Sequence, residues 1–244
     1  MGEQRYDQLA SHGGMFQPDV VVLVQSILTF ATAMDWDGAR AFETVRETNP
    51  SIVRVLTGNY ATNYPGQAVK NDVCEYSIRG EVEFCVGDLM QALRDGDDVG
   101  KIIGVSYRDA AGDAHLSDAY PSVDLNDLLV PDYDSLDAAH IQAYQDILEK
   151  GKIRYPEHSA RYRDIMTSRS CVLRCAFCSV APLRGPRQKY RRKPLGLVVD
   201  EIQQALDQGI EEIHFFDDLF APSEGDMLDF ANALAQRNLK FPWF

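Results

Sequence analysis

Apolar and polar positions recur along the chain in two periods, and the switches between them outline strands and helices. Asp19–Gln25 (DVVVLVQ) is a near-continuous apolar run, the pattern of a parallel strand covered on both faces. Asp35–Asn49 repeats apolar residues at helical spacing and is closed by Pro50. Ile52–Leu56 (IVRVL) reads as a second strand that ends at Thr57-Gly58, and Glu75–Ile78 (EYSI) as a short strand entering Arg79-Gly80. Phe84–Asp95 is an amphipathic helix with Gly96 as its C-cap. Ile102–Tyr107 and the residues around His115 read as a hairpin across Ala111-Gly112. Strands alternating with helices predict an open parallel sheet.

Periodicity weakens from about residue 118 to 164, where Tyr120-Pro121, Val130-Pro131 and Tyr155-Pro156 punctuate the chain and only Leu136–Lys150 reads as a helix. It returns with Asp164–Ser168 (DIMTS), a predicted strand. Then follow a strong amphipathic helix at Leu197–Gln208, a strand at Glu212–Phe216 ending in Asp217-Asp218, a helix at Glu224–Arg237, and the start of a further strand at Leu239–Phe244. The expectation is an α/β protein with a first unit at 1–118, a connector at 119–163 and a second unit at 164–244. The second unit has the order β-loop-α-β-α-β, with polar residues at the carboxyl ends of its strands, where barrels and doubly wound sheets place their chemistry.

The apolar run at 20–34 is interrupted by Gln25, Ser26, Thr29 and Thr32, so it predicts a strand and its exit loop and no membrane span. The N-terminus lacks the basic-then-apolar pattern of a signal peptide, so a reducing cytoplasm is the expectation. There, clustered cysteines bind metal or do redox chemistry more often than they form disulfides. A net charge of −13 argues against nucleic-acid binding, because a polyanion calls for a basic surface. The local exception is RGPRQKYRRK (184–193), with six basic residues in ten. It is either a solvated loop balancing acidic neighbours or an anion or substrate contact near the cysteines.

Three of the five cysteines, Cys171, Cys175 and Cys178, fall within eight residues in the spacing C-x3-C-x2-C. Three readings stand side by side. A structural zinc requires four closed ligands, but Cys74 and Cys85 lie in the other predicted unit, and neither His158 nor His214 is at finger-like spacing. Three unligated loop thiols are a second reading. A four-iron, four-sulfur cluster held by three thiolates is the third, and it leaves one iron open to a small molecule.

C-x3-C-x2-C with an aromatic before the last cysteine, here Cys175-Ala176-Phe177-Cys178, resembles the signature of the radical S-adenosylmethionine (radical SAM) superfamily. The resemblance implies that Cys171, Cys175 and Cys178 ligate a [4Fe-4S] cluster. It implies that the open iron chelates S-adenosylmethionine, and that an electron from the cluster cleaves it to a 5′-deoxyadenosyl radical. Phe177 is then expected near the adenine. Asp217 and Asp218 match the position that contacts the methionine amino group, which suits a carboxylate. Arg191 and Arg192 match a basic segment common in the family. An electron donor such as a flavodoxin or ferredoxin is implied as a partner.

The first unit carries a second resemblance. Ser26-Ile27-Leu28, then 28 residues, then Thr57-Gly58, is similar to the S-x-L…G-G pattern of cobalamin-binding Rossmann-like domains, with threonine in place of the first glycine. Arg79-Gly80-Glu81-Val82-Glu83 and LNDLLVPDYD (125–134) resemble segments of proteins that join such a domain to a radical SAM domain. Ser26, Leu28, Thr57 and Gly58 are the implied cobalamin contacts. The D-x-H-x-x-G motif that supplies a histidine to cobalt is absent from the sequence. About 80 residues follow residue 164, against the roughly 200 or more of a β/α barrel, so the expectation is a fragment shortened at both ends. The implied function is cobalamin-dependent methylation, or rearrangement or cyclisation, at an unactivated carbon of a small molecule. The alternatives are a non-catalytic cobalamin- or cluster-binding fragment and an enzyme of the methylthiotransferase type, whose second cysteine cluster has no counterpart here.

Overall fold

Five strands in the order β1-β2-β3-β4-β5 build the sheet of the N-terminal unit: β1 (Val20–Gln25), β2 (Val53–Gly58), β3 (Tyr76–Ile78), β4 (Val105–Arg108) and β5 (Ala114–His115). The computed structural model describes residues 10–11, 16–25, 37–150, 159, 161–173, 175–178 and 189–244. β1, β2 and β3 are parallel, with Val20 opposite Val53 and Val55 opposite Tyr76. β4 and β5 run antiparallel, closing the hairpin expected across Ala111-Gly112. The sheet is therefore mixed, not wholly parallel, because a tight turn can only join antiparallel neighbours.

Strand β2 alternates its side chains between two cores. Leu56 packs with Phe42 of α1 (Asp37–Thr48), Ala61 of α2 (Asn59–Asn63), and Ala68 and Val69 of α3 (Gln67–Lys70). On the other face Val55 packs with Ile78, Val105, and Cys85 and Leu89 of α4 (Cys85–Asp95). Helix α4 buries Cys85, Leu89 and Ala92, one stripe at helical spacing, and ends at Gly96 in the left-handed conformation. The expectation that β1 is covered on both faces does not hold. Val21 and Leu23 pack against the first core and Val20 against the second, but Val22 and Val24 are 40% and 66% exposed, so the second face of β1 is covered only at its start.

The chain divides into two compact units between Val123 and Asp124. In the C-terminal unit, β6 (Tyr162–Ile165) pairs in parallel with β9 (Glu212–Phe215). A separate two-residue ladder joins β7 (Ser168–Arg169) to β8 (Arg191–Arg192). Helices α6 (Leu195–Asp207) and α7 (Glu224–Gln236) follow β8 and β9, after α5 (Ala138–Lys150) earlier in the unit. Ile165, Val198, Ile202, Ala205, Ile213 and Phe230 form the core. Ser223 and Asp226 cap α7 reciprocally. The strand expected at Leu239–Phe244 is a single parallel bridge, Ile213 to Trp243, on β9. The segment 125–134 docks through Tyr133, whose ring lies 3.7 Å beneath the Arg163 guanidinium. No helix among the described residues is long and apolar enough to cross a membrane.

Cys74 and Cys85 are buried and the other three cysteines are not. Burial pushes the Cys74 thiol up to about 12 and the Cys85 thiol up to about 11. Thiolate is the reactive form, so at pH 8 these two stay protonated and inert. Alkylation of the folded, metal-free chain at pH 8 is expected to label three cysteines quickly, and all five only after denaturation in urea. Five fast thiols in the folded chain would contradict this core.

Candidate functional site

The cysteines lie on the loop that leaves β7, and what fixes that loop lies at its base. Ser168 pairs with Arg192 and Arg169 with Arg191, so the loop departs and returns through the same short ladder. Lys193 N donates to Thr167 O at 2.8 Å, extending this closure by one bond. Beyond the ladder the chain is clamped twice. Arg192 pairs with Asp226 in the first turn of α7, and Lys193 forms a nearly buried ion pair with Glu201 of α6. Removing one partner of a buried pair leaves an uncompensated charge, so Lys193 and Glu201 fix this segment firmly. Within the basic run, Arg192 and Lys193 thus balance acidic neighbours, and residues 184–188 lie outside those described.

Asp217 closes the base from the other side. At the end of β9, its carboxylate accepts from Thr167 N at 3.1 Å, from Thr167 Oγ1 at 2.9 Å and from Ser168 Oγ. The parallel ladder also runs one step further, with Phe216 N donating to Ile165 O at 3.0 Å. Burial pushes the Asp217 carboxyl above its usual range, opposed by the hydrogen bonds from Ser168 and Thr167. Ser170, the residue before Cys171, takes φ of +71°, turning the chain out of the ladder.

Cys171 and Cys178 are half-buried and Cys175 is exposed. Cys178 N donates to Cys175 O at 3.0 Å, a tight turn across Ala176-Phe177, and Leu173 N donates to Cys171 Sγ at 3.4 Å. Bonds of this kind to sulfur tune clusters that thiolates hold. Phe177 is 94% exposed, so it is not a core aromatic. Asp218 is half-buried beside Asp217. Among the described residues, no three His, Cys, Asp or Glu side chains converge as a metal site. His214 is engaged elsewhere: it stacks on Tyr162 and meets the tilted ring of Phe244, each 3.9 Å away, with Nδ1 3.5 Å from Asp164. In its chemistry the donor set fits an iron–sulfur cluster, because it offers three soft thiols from one loop without a fourth local donor.

In the N-terminal unit, Thr57 and Gly58 end β2 at the carboxyl edge of the parallel strands, while Ser26 and Leu28 lie outside the described residues. Gly58 takes φ of 97° and ψ of −153°, open only to glycine. Thr57 is fully buried, and among the described residues its hydroxyl has no hydrogen-bond partner. Thr62 ties two strand ends together: its hydroxyl donates to Gly58 O at 2.8 Å and accepts from Gly80 N at 3.1 Å. Glu81 accepts from Val123 N at 2.7 Å, so the R-G-E segment has a structural part that its sequence did not disclose. An orphaned hydroxyl at the carboxyl edge of a parallel sheet fits a ligand there, which is where such sheets bind them.

The C-terminal unit thus has a parallel strand pair followed by a three-cysteine loop, and the N-terminal unit a sheet with three parallel strands. No family model matches the chain. In sequence it is similar to an uncharacterised methyltransferase of Pyrococcus horikoshii, 25% identical over 231 residues, covering 93% of this chain and 46% of the relative. It is also similar to the anaerobic magnesium-protoporphyrin IX monomethyl ester cyclase of Rubrivivax gelatinosus, 26% identical, covering 97% of this chain and 40% of that protein. In fold it matches TsrM from Kitasatospora setae, a radical S-adenosylmethionine methyltransferase solved with cobalamin and a [4Fe-4S] cluster bound. That match has a TM-score of 0.73 and 19% identity, over 97% of this chain and 44% of the other. The chain spans less than half the length of these relatives. The likeness in fold to the TsrM structure thus extends over nearly the whole chain.

Replacing Asp217 with alanine leaves the Thr167 N–H and hydroxyl without their acceptor and the Ser168 hydroxyl with only Leu219 O, at 3.3 Å. The expected cost is about 2 kcal/mol in urea denaturation, as for buried donors left unsatisfied. Asp218→Ala serves as the comparison. A loss below about 0.5 kcal/mol for Asp217→Ala would show that the carboxylate does not hold the loop.

Proposed function

We propose that the chain is the cofactor-binding portion of a cobalamin-dependent radical SAM enzyme that methylates, rearranges or cyclises a small molecule at an unactivated carbon. In this reading residues 1–118 form the cobalamin-binding domain, 119–163 the connector and 164–244 the first part of the radical SAM domain. The observation that carries it is the loop itself: three free thiols within eight residues, on the loop that leaves β7, with no fourth donor among the described residues. When bound, the [4Fe-4S] cluster supplies a low-potential electron and an open iron for S-adenosylmethionine, and cobalamin supplies a methyl carrier or radical partner.

The chain's own residues divide the work. Cys171, Cys175 and Cys178 hold the cluster as thiolates. The β7–β8 ladder and Asp217 keep those thiols at a fixed place, so that binding does not have to order the loop's base. Asp217 itself is committed to Thr167 and Ser168, and Asp218 beside it accepts the cofactor's ammonium. Phe177, on the turn between the second and third cysteines, offers a ring face to the adenine. In the N-terminal unit, Thr57 gives its hydroxyl to the corrinoid, Gly58 lets it approach the backbone, and Ser26 and Leu28 belong to the same site. Electrons arrive from a small donor such as a flavodoxin or ferredoxin.

Incubating the reconstituted chain anaerobically with S-adenosylmethionine and dithionite is expected to release 5′-deoxyadenosine. Cys175→Ala is expected to release none above the protein-free background. Equal yields from the two chains would remove the cluster from the proposal. A bound cluster without any 5′-deoxyadenosine from the unsubstituted chain would make this portion a binding module.

A further inference from the structure

We infer that Arg79 is the anion-recognising residue of the N-terminal unit's site and takes the phosphate of a corrinoid's nucleotide tail. The inference rests on the cobalamin reading above. Arg79 directly follows β3, and continuing the register of Val55 with Tyr76 and Leu56 with Ser77 sets it level with Gly58. The Thr62 hydroxyl confirms that proximity, since it bonds both Gly58 O and the N–H of Gly80, the residue after Arg79. The Arg79 backbone is fixed on both sides: its N–H donates to Gly104 O and its carbonyl accepts from Tyr120 N, each at 2.8 Å. Gly80 holds φ of 97°, and a Cβ there would meet Tyr120 O at 3.0 Å, so this turn is tightly specified.

The side chain is treated differently from the backbone. It is half-buried, its Nε is buried without an acceptor, and among the described residues no carboxylate, carbonyl or ring pairs with the guanidinium. Other arginines in this unit have partners on their terminal nitrogens, although Arg108 Nε, like Arg79 Nε, is buried without one among the described residues. Arg54 is held by Glu75 through Nε at 3.1 Å and through Nη2. Arg108 donates to the carbonyls of Gly112, Val69 and Lys70. Among the described residues, Arg79 differs from Arg54 and Arg108 in that no group pairs with its guanidinium. Withdrawing a guanidinium from water without a partner costs free energy, and an anion delivered by a ligand offsets that cost.

Two buried polar groups without partners, Thr57 Oγ1 and Arg79 Nε, thus sit at the carboxyl ends of neighbouring parallel strands. That edge is where open α/β sheets bind ligands. A guanidinium presents a planar fork of donors that matches phosphate better than a neutral carboxamide. The anionic group of a cobalamin is the phosphodiester of its tail, and the corrin side chains are neutral amides. Arg79 therefore distinguishes corrinoids by the phosphate.

The test compares two corrinoids that differ only by that group, cobinamide and cobinamide phosphate, titrated into the chain and followed by the corrin absorbance. The unsubstituted chain is expected to bind the phosphorylated form roughly ten- to a hundredfold more tightly, the span of a charged hydrogen bond. Arg79→Gln is expected to erase that preference with cobinamide affinity unchanged, and Arg79→Lys to restore part of it. An undiminished preference in Arg79→Gln would overturn the inference and leave the cobalamin reading standing. Loss of cobinamide affinity in the same variant would overturn it too, by making Arg79 a structural residue. Binding of neither corrinoid to the unsubstituted chain would overturn the cobalamin reading and the inference with it.

Discussion

A loop that offers three thiols and no fourth is useful only if its base does not move, and here one carboxylate sets that base. Asp217 gathers the Thr167 N–H and the hydroxyls of Thr167 and Ser168 onto the end of β9. The thiols that follow are thereby referenced to a parallel strand pair whose inner residues, Ile165 and Ile213, are fully buried. The β7–β8 ladder, the Lys193–Glu201 pair and the Arg192–Asp226 pair then fix the returning strand to two helices. Each of these contacts is small. Together they pin both ends of the loop to the core and leave its crest, with Cys175 and Phe177, open to solvent.

The N-terminal unit solves a comparable problem with different means. Its parallel strands end in backbone conformations that side chains resist, at Gly58 and Gly80, and the Thr62 hydroxyl links the two ends. Rigid backbone next to unsatisfied side chains is the pattern of a prepared binding edge, because order is established before a ligand arrives. Among the described residues at this edge, Thr57 Oγ1 and Arg79 Nε are left to be satisfied. The threonine where related patterns have glycine is therefore more than a narrowing of the site, since it also brings a hydroxyl.

Much of this was legible in the sequence, for identifiable reasons. The apolar run at 20–25 and the stripe of Cys85, Leu89 and Ala92 are long enough for a period to show. The hairpin at Ala111-Gly112 and the cap at Gly96 carry their own turn chemistry. Helices α2 and α3, with five and four residues, are too short for a helical period to emerge. The β7–β8 ladder joins residue pairs some twenty positions apart, and no local pattern reports such a contact. The exposed face of β1 was misread because an apolar run shows that a strand can be covered and not what covers it. The part Asp217 plays at the loop base was hidden because a carboxylate that holds a loop and one that binds an ammonium look alike in sequence. Arg79 could be quoted from its motif, but only the structure shows that among the described residues nothing pairs with its guanidinium.

The central claim is that this loop presents a cluster with one open iron. The most direct measurement is anaerobic reconstitution with iron and sulfide, followed by metal analysis and EPR of the reduced protein with and without S-adenosylmethionine. The account predicts about four irons and four sulfides per chain, as a single [4Fe-4S] cluster requires, and a spectrum that shifts when S-adenosylmethionine is added. A chain that takes up zinc instead of iron, or a four-iron cluster whose spectrum is indifferent to S-adenosylmethionine, would contradict it.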